Sequence, residues 1–252
     1  MTKIKPKRII VPKLIASSLL LLSTLLFCAK ENHYEQHKIA SIDEASGISY
    51  CHDSNTLIVA NDEGNFYEID PKGEILSRHK LGEFDLEGVV CEPQKLTFAI
   101  EGGALLEVNR ASLQSNYLKL KGKGIKINKK SGIEGIAKIG SLYYLSIQSK
   151  KKEDAKIVVV KKGKNYAKVI QFIDLGIIDA AGLAFYQDKL YIVSDKKEML
   201  YSYRLQKDEI KQRVKLPHFA QEGITFDQEG NVYFADDDGA VLKYTTKELG
   251  IK

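Results

Sequence analysis

The sequence predicts an all-β fold built from five similar units, and three observations predict it. A short motif recurs five times: a small or acidic residue, then Gly, then an apolar strand. The copies are Ser46-Gly47-Ile48, Glu87-Gly88-Val89, Glu134-Gly135-Ile136, Ala181-Gly182-Leu183 and Glu222-Gly223-Ile224. Their glycines stand 41, 47, 47 and 41 residues apart, a period typical of solenoids and propellers. Each period also holds short runs that alternate apolar and polar residues between polar turns, with no sustained helical period. Units of four antiparallel strands at this spacing are propeller blades, each burying its apolar faces only against its neighbours.

The elements follow in order. The first unit starts at Ser46 and continues with strands at Thr56–Ala60, Asn65–Asp70 and Ile75–Leu81. The second starts at Glu87 and adds Leu96–Ile100, Leu105–Asn109 and Tyr117–Leu120. The third starts at Glu134 and ends on Val169–Leu175. The fourth is the clearest: Ala181–Phe185, a Gln187-Asp188 turn, Lys189–Ser194, Met199–Leu205 and Ile210–Leu216. The fifth has Gly223–Phe226, Asn231–Ala235 and Ala240–Tyr244, then runs out of chain. An unassigned strand-like stretch, residues 34–40, precedes the first unit where the other units have an outer strand. It is expected to complete the last blade, closing a five-bladed β-propeller without an open edge.

Residues 1–28 read as a signal peptide or membrane anchor and residues 29–252 as the propeller. Lys3, Lys5, Lys7, Arg8 and Lys13 precede Leu14–Phe27, an uncharged and mostly apolar stretch. That stretch is short against the roughly 20 residues of a membrane span, and fits a secretory h-region. Cys28 follows it, with Leu25 three residues earlier, as at a lipoprotein processing site, although Phe27 stands where a small residue is usual. Lipidation at Cys28 and an uncleaved anchor both export the propeller to the cell envelope. The net charge of +5 belongs wholly to this segment, since from Cys28 onward 33 basic residues balance 33 acidic ones. A nucleic-acid partner is therefore not expected, and the runs Lys150–Lys152 and Lys161-Lys162-Gly163-Lys164 read as solvated loop and strand edge. Cys51 and Cys91 follow corresponding strands of neighbouring units, so a bridge is conceivable. Two separately buried thiols are favoured. No CxxC or Cys/His cluster suggests zinc.

Strand order places the acids. Glu87, Glu134 and Glu222 begin first strands, which line the central channel. Asp62, Glu101, Asp195 and Asp236–Asp238 follow second strands, at the same end of the ring. Converging carboxylates repel and draw protons unless something compensates. Calcium, which accepts six to eight oxygens in flexible geometry, is one compensation, with Ser46 and carbonyls available as further ligands. Hydrogen bonds from the glutamates to loop N–H groups, holding blades in register, are the other. The five histidines belong to no nucleophile or metal motif; His218 reads as a loop residue. No phosphate-binding glycine loop occurs.

The order and spacing of these motifs resemble the SdiA-regulated family. The resemblance covers roughly residues 40–245. It rests on Asp85-Leu86-Glu87 with Phe98-Ala99-Ile100-Glu101, on Ile133-Glu134-Gly135-Ile136-Ala137, and on Asp179-Ala180-Ala181-Gly182-Leu183. Gln221-Glu222-Gly223-Ile224 with Gly230-Asn231-Val232-Tyr233 completes it. It implies a five-bladed propeller distantly similar to NHL-repeat propellers, in the cell envelope behind an N-terminal hydrophobic segment. It also implies a central calcium ion, with Glu87, Glu134 and Glu222 as its ligands, and no established activity. Ala181 departs from the acidic pattern. The expected role is an envelope-anchored binding module for an extracytoplasmic ligand or protein. A metal-dependent hydrolase of lactonase or phosphoesterase type, with Asp195 or Asp236 as general base, is the alternative. A structural module without metal is a further one. No base–nucleophile pair can be identified, which favours binding over catalysis.

Overall fold

The structure, a computed structural model, describes residues 34–252 apart from 126, 128–131, 150 and 153. The signal or anchor segment, Cys28 and Lys150 lie outside the described residues. The compact unit spans Lys38–Lys252. It is all-β, with one 3-10 turn at Asp195–Lys197 among its described residues.

Strand β1 is Lys38–Ala40. The first unit is β2 (Ala45–Cys51), β3 (Thr56–Asn61), β4 (Asn65–Ile69) and β5 (Ile75–Lys80). The second is β6 (Leu86–Glu92), β7 (Lys95–Ile100), β8 (Ala104–Asn109) and β9 (Ser115–Lys121). The third is β10 (Ile133–Ile139), β11 (Leu142–Ile147), β12 (Lys156–Lys162) and β13 (Ala167–Ile173). The fourth is β14 (Ala180–Tyr186), β15 (Lys189–Ser194), β16 (Met199–Arg204) and β17 (Glu209–Lys215). The fifth is β18 (Gln221–Phe226), β19 (Asn231–Asp236) and β20 (Ala240–Thr245).

Within every unit the strands pair antiparallel in chain order. The second and third units join into one eight-stranded sheet through β9 and β13, which run parallel over two residue pairs, Ala167↔Leu120 and Lys168↔Lys121. Leu120 and Ala167 are both buried in one apolar cluster there, so burying these two side chains draws the outer strands together. The stretch expected as strand at 34–40 pairs only over Lys38–Ala40, against Leu242 and Val241 of β20. Residues 34–37 form a helical turn instead. A register shift between Lys38 and Ala40 marks a bulge, which ends the ladder.

The core lies between sheets. Ile58, Ala60 and Phe66 of the first unit pack with Leu86, Phe98 and Leu106 of the second. Tyr233 and Val241 of the fifth pack with Ile48, Leu57 and Val59 of the first. Alternate side chains leave opposite faces of a strand, so a sheet covered on both sides buries nearly every residue. All six residues of β3 are buried, whereas β17 at an outer edge alternates between exposed and partly exposed.

The five inner strands touch in a closed cycle, β2 to β6 to β10 to β14 to β18 and back to β2. Glycine makes that approach possible. A Cβ on Gly47 would lie 2.3 Å from the Glu87 carbonyl oxygen, and one on Gly182 would lie 2.5 Å from that of Glu222. One on Gly223 would meet the Ile48 nitrogen at 2.9 Å.

The same proximity corrects the reading of the cysteines. Cys51 and Cys91 form a disulfide, with Cα atoms 5.3 Å apart. Each follows its glycine by three or four residues, so strands held together at Gly47 and Gly88 are still within bridging distance there. The bridge closes a loop of 40 residues, worth about 4 kcal/mol on chain-entropy grounds.

Replacing Gly135 by Ala would push a Cβ to 2.4 Å from the Ala181 carbonyl oxygen; denaturant melts are expected to show a loss of about 1–3 kcal/mol or more. Deleting residues 31–40, and with them β1, is expected to lower the midpoint of a single thermal transition, because β20 loses its outer partner. An unchanged midpoint would show that β1 adds nothing to closure.

Candidate functional site

Each inner strand begins with a β-bulge at the recurring motif. In β6 the register passes from Leu86↔Ile100 to Gly88↔Ala99, leaving Glu87 as the extra residue. The same step leaves Glu134 extra in β10, Glu222 in β18 and Ser46 in β2. Bulges re-aim a side chain out of the pleat. Here they turn three glutamates toward one narrow axial cavity, which is lined by Glu87, Glu134, Glu222 and the motif glycines and has room for about one water molecule or ion. Beneath the carboxylates, a collar of Ile48, Val89, Ile136, Leu183 and Ile224 closes the cavity.

Glu87 and Glu134 are only 7% and 8% exposed. Oε2 of Glu222 is buried with no hydrogen-bond partner, and so is Oδ1 of Asp62. Burial pushes the Glu87 carboxyl well up, and the nearby charges of Glu134, Asp62, Asp85 and Glu222 add to it. Burial and then Glu101, Asp85, Asp62 and Asp179 push Glu134 up to about 8. Glu222 is raised by burial, then by Glu134, Asp195, Asp237 and Asp179. Asp62 is raised to about 7 by burial and by Asp85 and Asp237. The three glutamates therefore act on one another and on a surrounding tier of aspartates.

The residues singled out from the sequence take different places in this arrangement. Oxygens of Asp62, Asp85 and Glu87 lie within 4.8 Å of one another, a spacing able to hold a cation. Ser46 is engaged: its hydroxyl donates to the Leu86 carbonyl and, at 3.4 Å, to that of Ala60. Glu101 stands beside Glu134. Asp195 Oδ1 accepts the Gln221 N–H at 3.2 Å. Asp236 Oδ1 accepts N–H groups of Ala220 and Asp238, at 3.0 and 3.2 Å. It is the neighbouring Asp237 that acts on Glu222 and Asp62. His218 sits in an exposed loop, its Nδ1 2.5 Å from Glu198. Asp85 and Asp179 were missed as site residues, although both stand two residues before a motif position, which is the signal that marks them. Asp179 adopts a left-handed φ of 55° and accepts the Lys196 N–H at 3.0 Å.

A model of the SdiA-regulated family matches residues 27–238. The chain belongs to the SdiA-regulated family. No curated protein matches it in sequence. Among solved structures it is similar to glutaminyl cyclase of Myxococcus xanthus, with a TM-score of 0.62 at 10% identity, over 82% of this chain and 92% of that one. At that identity the likeness shows the fold alone, a propeller-like one. BamB of Moraxella catarrhalis is a more remote likeness, with a TM-score of 0.43 at 13% identity over 79% of this chain and 57% of that one. The chemistry of this SdiA-regulated chain rests on its own side chains.

The raised carboxyls set a pH dependence. An acid whose pKa is higher folded than unfolded favours the fold while it is protonated, and that contribution is lost as pH rises through the folded value. For Glu134 the window runs from its ordinary 4.5 to about 8, and for Asp62 from 3.8 to about 7. Glu92 and Glu198, whose carboxyls are held low by lysine partners, lose their contributions only at more acid pH. Chelator-treated protein is thus expected to melt at a lower temperature at about pH 8 than at about pH 5, measured by scanning calorimetry at constant ionic strength.

Proposed function

We propose that this SdiA-regulated chain is a five-bladed propeller, exported to the cell envelope, whose central carboxylates hold a calcium ion. Its acidic face would then bind an extracytoplasmic ligand or protein. The closed cycle of inner strands and the packing of the fifth unit on the first support the count of five. Among the described residues, β9 and β13 pair over only two residue pairs, which is compatible with two blades touching at their outer edges. The N-terminal segment supports export, as does the Cys51–Cys91 bridge, since disulfides persist in oxidising compartments.

One observation carries the metal: buried Glu87 and Glu134 share a cavity with half-buried Glu222, and a buried oxygen of Glu222 has no partner. Uncompensated buried carboxylates are costly, and the donor set is all oxygen, hard and anionic, which fits a hard divalent cation. Glu87, Glu134 and Glu222 would be its ligands, with Asp62 and Asp85 close enough to Glu87 to share it. Calcium suits carboxylates gathered from separate strands better than magnesium, which requires tighter octahedral geometry. The bound ion would supply charge compensation at the ring centre and a Lewis-acidic point on the acidic face. Binding is favoured over hydrolysis because Asp195 and Asp236, the acids considered as bases, are engaged by backbone N–H groups: Asp195 by that of Gln221, and Asp236 by those of Ala220 and Asp238.

Calorimetric titration of chelator-treated protein with calcium is expected to give one site per chain and a raised melting temperature. Glu87→Gln, Glu134→Gln and Glu222→Gln should each weaken calcium by at least about tenfold, because ligand charge sets affinity at such sites. Each should also stabilise the metal-free fold, because it removes a buried charge. Absence of calcium binding would remove the metal from this reading.

A further inference from the structure

The inner strands continue through the ring to the opposite face, where a funnel of about 230 Å³ opens to solvent. Its floor is the collar of Ile48, Val89, Ile136, Leu183 and Ile224, which also lines the carboxylate cavity. Beyond that shared collar the funnel has a different lining.

Three residues beyond each motif glycine stand Tyr50, Cys91, Lys138, Phe185 and Phe226. They hold equivalent register positions, opposite Leu57, Leu96, Tyr143, Leu190 and Val232 of the second strands. At this level the backbone N–H points away from its own sheet. In two units a hydroxyl of the preceding unit accepts it. Thr225 Oγ1 takes the Tyr50 N–H and Ser49 Oγ takes the Cys91 N–H, both at 3.0 Å. The residues equivalent to Ser49 and Thr225 in the other units are Val90, Ala137 and Ala184, none of which has a side-chain acceptor. Among the described residues the N–H groups of Lys138, Phe185 and Phe226 thus form a row without a hydroxyl cap along one side of the funnel.

The surroundings of this row set the chemistry of what would fill it. Backbone donors removed from water need an acceptor. Val90, Ala137, Ala184 and the exposed ring of Phe185 offer apolar surface beside them. Glu92 is the one acid on the funnel wall, and its charge is balanced by Lys138 and Lys95. An anionic acceptor therefore meets donors and balanced charge on this face, in contrast to the acidic face opposite.

We propose that the funnel is a second binding site, which takes a small carboxylate with an apolar body. The carboxylate accepts the N–H groups of Lys138, Phe185 and Phe226, and the body rests on the aliphatic collar. Selectivity is built from side chains that are missing: Val90, Ala137 and Ala184 offer no hydroxyl to the N–H groups of units three to five, whereas Thr225 and Ser49 close the same position in units one and two.

Hexanoate is the probe, with hexan-1-ol as the tail without a carboxylate. In a titration of the ¹⁵N-labelled full chain with calcium present, hexanoate is expected to shift the amide signals of Lys138, Phe185 and Phe226, and hexan-1-ol is not. Ala137→Ser and Ala184→Ser should cap Phe185 and Phe226 as Ser49 caps Cys91. Each is expected to fold like the parent and bind hexanoate about tenfold more weakly, the loss of one charge-assisted hydrogen bond. Hexanoate affinity is expected to be the same with calcium present and after chelation, which separates this site from the carboxylate cavity. No shift up to about 50 mM hexanoate, equal shifts with hexan-1-ol, or undiminished binding in both serine variants would overturn the proposal. Loss of hexanoate binding on chelation would overturn it too, by placing the carboxylate on the ion at the other face.

Discussion

Backbone contact between neighbouring inner strands is the constraint from which the rest follows. Five strands converge so closely that a single methyl group at Gly47, Gly135 or Gly182 would overlap the next strand's carbonyl oxygen. Protein interiors do not absorb such overlap cheaply. The glycines therefore set the distance between sheets, and that distance lets the apolar faces of adjacent units interdigitate. It also brings Cys51 and Cys91 within bridging range.

The acidic centre is a by-product of the same geometry. A bulge at each motif leaves one residue without a ladder partner, and it falls on Glu in three units. Close approach then buries these side chains beside one another, so burial and mutual repulsion raise all three carboxyls together. Salt bridges elsewhere are of another kind. Arg110 joins the second unit to Asp53 and Glu68 of the first, and Lys138 and Lys162 join the third to Glu92 and Glu107 of the second. These pairs satisfy their own charges and add little individually at a solvated rim. Among the described residues no lysine or arginine pairs with Glu87, Glu134 or Glu222, and burial and neighbouring acids raise all three.

Departures from repeat symmetry are as informative as the repeat. Ser46 stands where three other units have glutamate, and its hydroxyl donates to the carbonyls of Leu86 and Ala60, tying the first two units together. Ala181 has no polar side-chain atom to offer, and its carbonyl accepts the Ser146 hydroxyl. Across the ring, Ser49 and Thr225 cap neighbouring strands while Val90, Ala137 and Ala184 do not. Both mouths of the channel are consequently lopsided, each open toward particular units.

The sequence by itself determined the all-β class, the five repeated units, most strand positions and the glutamates that begin the inner strands. These are legible because alternation, turn residues and a fixed period are local properties of the chain. Only the tertiary structure decided the disulfide, the shortened β1, and the joining of β9 to β13. It alone also showed that Asp85, Asp179 and Asp237 surround the glutamates while Asp236 is held by the N–H groups of Ala220 and Asp238. These depend on distances between segments well separated in the chain, or on a bulge that turns one side chain without changing the alternation read from sequence. The motif named the glycines and the acids; the closeness of the strands decided what they touch.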